Sequence, residues 1–86
     1  MRLIALAVGL VCAGWAAGAP FDEARRLYDA TEFQQSLHVL SAIPHKDAEV
    51  QALTGRNYYM LGDFKRASEA LEWAFNAEPS NSDYAL

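Results

Sequence analysis

Cysteine is almost missing from this chain. Cys12 is the one thiol in 86 residues, and it lies inside an apolar run near the N-terminus. Without that run the rest of the chain has no cysteine, which removes disulfides, thiolate nucleophiles and Cys-ligated metal sites together. Histidine is also sparse. His38 and His45 have neither a cysteine near them nor the HExxH spacing of a zinc site, so no metal is expected. No glycine-rich phosphate loop and no Gly-x-Ser-x-Gly elbow occurs. Basic charge is short as well, with 7 Lys/Arg against 11 Asp/Glu and a formal net charge of −4. Nucleic-acid binding draws its affinity from neutralised phosphates, so this balance argues against it.

The first stretch of the chain has the order of a secretory signal peptide. Met1-Arg2 precedes the apolar run Leu3–Ala13, and small residues continue to Ala19. Cleavage is expected after Gly18, because Pro20 makes a cut after Ala19 less favourable. The residues before Cys12, Leu10-Val11, are not the small residues of a lipoprotein signal. The uncharged run Leu3–Ala19 is also at the lower limit for a spanning helix, so the alternative is a membrane-anchored accessory subunit that keeps this helix.

The rest of the chain reads as helices. Pro20 is suited to open the first, with Asp22 and Glu23 in its first turn, where they complement the helix dipole. Phe21, Ala24, Leu27, Tyr28 and Thr31 keep the rhythm of one helical face. Thr31-Glu32-Phe33-Gln34 matches a capping box for a second helix, which would bury Phe33, Leu37, Leu40 and Ile43 and stop at Pro44. Asp47 is a good N-cap for a third helix carrying Val50, Leu53, Tyr58 and Leu61, with Gly55 inside it. A glycine there costs up to about 1 kcal/mol relative to alanine, which asks for a packing reason. Gly62 suits a left-handed cap and Asp63 the start of a fourth helix burying Phe64, Ala67, Leu71, Ala74 and Phe75, closed by Pro79. The fold class expected is all-α, built from antiparallel helix hairpins.

The stretch Gly55–Pro79 resembles the tetratricopeptide repeat (TPR), a helix-turn-helix unit of about 34 residues. Gly55, Tyr58, Ala67, Ala74 and Pro79 match its pattern, and Leu71 substitutes for an aromatic residue, while Gln51 and Thr54 depart from its Trp and Leu positions. An offset of 31 residues sets Phe33 beside Phe64, Ala24 beside Gly55, Arg25 beside Arg56, Tyr28 beside Tyr59 and Leu40 beside Leu71. The resemblance therefore implies a TPR-like α-solenoid. Its parts are a signal peptide over 1–18, a degenerate TPR-like hairpin over 20–46, a TPR repeat over 48–81, and the start of an incomplete further repeat over 82–86. The chain is accordingly expected to be a fragment or the front of a longer repeat protein.

Function follows from the same resemblance. In TPR-like scaffolds the first helix of each pair lines a groove, and matched positions form rows along it. Here the rows are Arg25 with Arg56, able to engage carboxylates bidentately, and Tyr28 with Tyr59, which offer stiff amphipathic contact area. The same arginines can instead pair with surface acids, and the tyrosines can pack between repeats. Trp73 falls opposite Phe64 on the fourth helix, as an exposed contact. Glu69 and Glu72 have a paired-carboxylate spacing but sit on a polar face, which points to solvation and not to catalysis. The expectation is an exported scaffold, periplasmic or secreted, that binds another protein or an extended peptide without catalysis, cofactor or metal.

Overall fold

The structure is a computed structural model that describes residues 18–81. The signal peptide and Cys12 fall outside the described residues, save Gly18 itself, and so does the further repeat over 82–86. Among the described residues the chain is all-helical, with α1 Gly18–Asp29, α2 Phe33–Ser41, α3 Ala48–Met60 and α4 Phe64–Ala77. The connections Ala30–Glu32 and Leu61–Asp63 are so short that α1 folds back on α2 and α3 on α4. Helix α3 also lies against both α1 and α2, joining the two hairpins.

Local chemistry sets most boundaries. Asp47 caps α3, its carboxylate accepting the Val50 N–H at 3.0 Å, and Asp63 caps α4 by accepting the Arg66 N–H at 3.2 Å. Gly62 adopts φ 83°, the left-handed turn that glycine enters at least cost. The described part of α1 includes Gly18 and Ala19, so Asp22 and Glu23 lie beyond its first turn and not in it. Proline at the third described position is compatible, since a first-turn N–H has no intrahelical acceptor.

The capping box at Thr31 does not form. Glu32 occupies the N-cap position of α2 without a side-chain cap, and Thr31 sits before it with φ 63°. The C-terminus of α1 claims this residue. The Thr31 N–H donates to the Tyr28 carbonyl at 3.0 Å and the Glu32 N–H to the Leu27 carbonyl at 2.8 Å. Gly62 and Asp63 make the matching bonds to Tyr59 and Tyr58, at 3.0 and 2.9 Å. Both are Schellman turns, which need a left-handed residue at the position held by Thr31 and Gly62.

The end of α2 is secured by a side chain that sequence reasoning leaves in a polar connector. The Lys46 ammonium donates to the carbonyls of Leu40 (2.9 Å), Ser41 (3.1 Å) and Ile43. A lysine is well matched to the carbonyls that a helix leaves unpaired at its C-terminus. Ile43 itself lies past the end of α2, yet it is buried.

One core cluster joins Ala24, Leu40, Ile43, Val50 and Leu53, with Phe21, Tyr28 and Val39 against it. Full burial of a leucine such as Leu40 or Leu53 contributes about 1.5–3 kcal/mol each. The second cluster, Ala48, Ala52, Ala74 and the half-buried Leu71, uses smaller residues. Gly55 has the packing reason its position demands. A Cβ there would lie 2.7 Å from Leu71 Cγ and 3.1 Å from the Ala67 carbonyl, so its absence lets α3 and α4 approach. Phe64 and Phe75, expected in the core, are exposed, because no described element of the chain covers that side of α4.

Candidate functional site

The tyrosines of the expected groove have partners within their own hairpins. Tyr28 meets Phe33 edge-on, with ring centroids 5.5 Å apart, and Tyr59 meets Phe64 at 5.3 Å. Each pair spans one Schellman turn, and the two pairs are 31 residues apart. Their surroundings differ. Tyr28 packs on the first core cluster, whereas Tyr59 is 59% exposed. Arg25 is exposed on α1 and Arg56 half-buried on α3, where it has an interaction of its own. Trp73, at 47% exposure, stands on the side of α4 opposite Phe64.

The surface acids and bases are largely matched locally. Arg26 pairs with Glu23 (2.5 Å), Lys65 with Glu69 (2.6 Å) and Arg66 with Asp63 (3.3 Å), all three on solvent-facing helix surfaces. The hydrogen bond and then the charge of Glu23 raise the pKa of Arg26, and Glu69 does the same to Lys65. These pairs lie on exposed faces, where ion pairs stabilise little. Glu69 and Glu72 are both exposed, and Glu69 is occupied by Lys65.

A groove that sequence reasoning missed runs between α2 and the turn from α3 to α4. It is open, about 600 Å³ in volume, and its walls include Leu37, His38, Tyr58, Leu61 and Arg66. The Arg66 guanidinium stacks over the Tyr58 ring at 5.9 Å, giving one wall an amphipathic, cationic character. None of Arg25, Tyr28, Arg56 or Tyr59 lines it. The signal available in the sequence was Leu61, an apolar residue at the very end of the α3 stripe, where little remains to bury it.

A second missed feature is a buried polar chain through α1, α2 and α3. Asn57 Nδ2 donates to Ser36 Oγ at 2.9 Å and to the Leu53 carbonyl at 3.0 Å, and Ser36 Oγ donates to the Ala24 carbonyl at 2.8 Å. Both side chains are fully buried. Asn57 Oδ1 has no partner. The chain ties α3 to α2 and α2 to α1, so it locks the seam between the hairpins.

Among the described residues, no group of three or more His, Cys, Asp or Glu is arranged to hold a metal ion, and no helix is long and apolar enough to cross a membrane. The described surface offers an open groove, exposed aromatic residues and cationic side chains. No protein-family model, curated protein or solved structure matches the chain.

Proposed function

We propose that this chain is an exported, TPR-like scaffold that binds another protein or an extended peptide and performs no catalysis. One observation carries the reading: the two hairpins carry the same device 31 residues apart, a Schellman turn bridged by a tyrosine–phenylalanine pair. Repeated hairpins of this kind cannot each bury an apolar face alone and gain stability by stacking on neighbours. Such a stack aligns matched positions into rows. Arg25 with Arg56 is the row suited to carboxylates, and Tyr59 with Tyr28 adds aromatic surface. The close approach of α3 and α4 at Gly55 supports the same reading, since a small residue there is what the TPR pattern asks for.

Two measurements test it. An array of extended peptides, each ending in a free acidic C-terminus, is probed with the full chain and with the Arg25→Ala/Arg56→Ala variant. The proposal expects binders whose affinity falls about tenfold in the variant, in line with loss of one or two charge-assisted contacts. An array without binders rejects it. Export is tested by N-terminal sequencing after expression in a bacterial host. A mature start at Ala19 or Pro20 in the soluble exported fraction supports it, whereas an intact Met1 in the membrane fraction favours the anchored accessory subunit.

A further inference from the structure

Helix α1 starts on the wall of a cavity. The cavity, about 130 Å³ in volume, lies where Gly18 and Phe21 meet the connector after α2 and the first turn of α3. Its apolar lining, Phe21, Ile43 and Val50, is part of the first core cluster or packs on it. Its polar lining is His45, Asp47 and Glu49. One oxygen of Asp47 accepts the Val50 N–H, and the ion pairs of the described residues, Arg26–Glu23, Lys65–Glu69 and Arg66–Asp63, leave both of these carboxylates out. A Cβ at Gly18 would meet no atom within 4 Å, so the space beside the start of α1 is open.

Processing creates a cation at this place. Cleavage after Gly18 hydrolyses the Gly18–Ala19 peptide bond: water completes the Gly18 carboxyl, which leaves with the leader, and Ala19 keeps an amine that is protonated below its ordinary pKa of about 7.7–8.0. The new α-ammonium has three N–H donors where the helix start had one amide N–H without an intrahelical acceptor. Its position is fixed by connectivity, since Ala19 follows the residue on the cavity wall. Resting on the export reading above, we infer that Asp47 and Glu49 take the α-ammonium of Ala19, so that removal of the leader ties the start of α1 to the start of α3.

The sign of the effect separates this capture from the helix's own field. A positive charge at a helix N-terminus opposes the macrodipole and by itself weakens α1. Carboxylates beside the charge reverse that. On α1 the nearby acids are Asp22 and Glu23, of which Glu23 is engaged by Arg26, and the groups that face the terminus from the connector and α3 are His45, Asp47 and Glu49.

The test compares the processed chain, Ala19–Leu86, synthesised with a free and with an acetylated N-terminus, by urea denaturation at about pH 6.5, where the free amine is protonated. Acetylation is expected to lower the folded-to-unfolded ratio about threefold, the scale of one part-exposed ion pair less the opposing dipole. In Asp47→Asn/Glu49→Gln, where asparagine keeps the cap of α3, the effect is expected to vanish or change sign. Asp22→Asn is expected to leave it in place. Acetylation that raises the ratio or leaves it unchanged overturns the inference. So does an effect that survives Asp47→Asn/Glu49→Gln, or a free-ended chain that does not fold. N-terminal sequencing of the exported chain separates the failures. A start at Pro20, or at Ala19 without the acetylation effect, fells this inference alone, whereas an intact Met1 fells the export reading and this inference with it.

Discussion

Replacing Asn57 by aspartate exchanges the side-chain NH2 group for a second oxygen that can carry charge, at a fully buried position in the seam between the hairpins. The wild-type amide donates to Ser36 Oγ at 2.9 Å and to the Leu53 carbonyl at 3.0 Å. In its protonated form the introduced carboxylic acid still donates one bond, so the loss at low pH is one hydrogen bond, about 1 kcal/mol. The ionised form donates none and faces the Leu53 carbonyl with like polarity. An uncompensated buried charge costs about 3–5 kcal/mol, a large part of what a domain this small has to lose. Burial raises the folded-state pKa of the new carboxyl above its unfolded value of about 3.9. Its linkage sign follows: the variant is most stable below that unfolded value and loses stability as pH rises toward the folded pKa. Urea denaturation followed by circular dichroism at about pH 4 and about pH 8 measures it. The N57D variant is expected to unfold cooperatively at the lower pH and to be largely unfolded at the higher. A variant equally stable at both, after subtraction of the wild type's own pH dependence, refutes the buried chain. The double variant Ser36→Ala/Asn57→Leu removes the polar groups together, including the orphaned Oδ1, and is expected to lie within about 1 kcal/mol of wild type.

Other substitutions test the remaining features. Gly55→Ala forces a Cβ to 2.7 Å from Leu71 Cγ and 3.1 Å from a backbone oxygen, and is expected to destabilise by about 1–3 kcal/mol in the same urea assay. Thr31→Gly relieves a β-branched residue at φ 63° and is expected to raise stability by about 1 kcal/mol, whereas Gly62→Thr lowers it by a similar amount. Lys46→Met removes the ammonium that donates to the carbonyls at the end of α2, of which the Leu40 carbonyl keeps the Ile43 N–H, and thermal melts are expected to show a loss of about 1–2 kcal/mol. Lys65→Gln breaks the exposed pair with Glu69. Because that pair raises the lysine pKa, any contribution is fully present below the ordinary lysine pKa and lost only as pH rises through the raised one, so across neutral pH the variant's midpoint is expected to differ from wild type by a small amount that does not change with pH.

The helices themselves were legible because their signals are local. Asp47, Asp63 and Gly62 act on backbone groups within a turn of themselves, and the structure uses each as its residue type suggests. Thr31 misled because a hydroxyl ahead of a helix looks like an N-cap, while the Schellman turn ending α1 took the residue first. Lys46 sits in a short polar connector, and nothing in sequence says that its ammonium meets three carbonyls. Ser36 and Asn57 are polar, so helical periodicity alone cannot mark them as buried; their burial depends on each other across 21 positions. Phe64 and Phe75 carry the opposite lesson. Periodicity identifies an apolar stripe, but burial requires a neighbour, and α3 packs on the side of α4 that carries Ala67 and Ala74 and leaves Phe64 and Phe75 exposed. Of the expected groove, the tyrosines and the phenylalanines were each legible as matched pairs, and the contact of each tyrosine with its phenylalanine was not.

That this chain is a docking scaffold for other polypeptide is tested most directly by nuclear magnetic resonance of the isotopically labelled full chain, titrated with extended peptides that end in a free acidic C-terminus. Amide shifts are predicted to concentrate around Arg25, Tyr28, Arg56 and Tyr59 and to be lost in the Arg25→Ala/Arg56→Ala variant. A spectrum unchanged at saturating peptide, or shifts scattered evenly over all four helices, would contradict it.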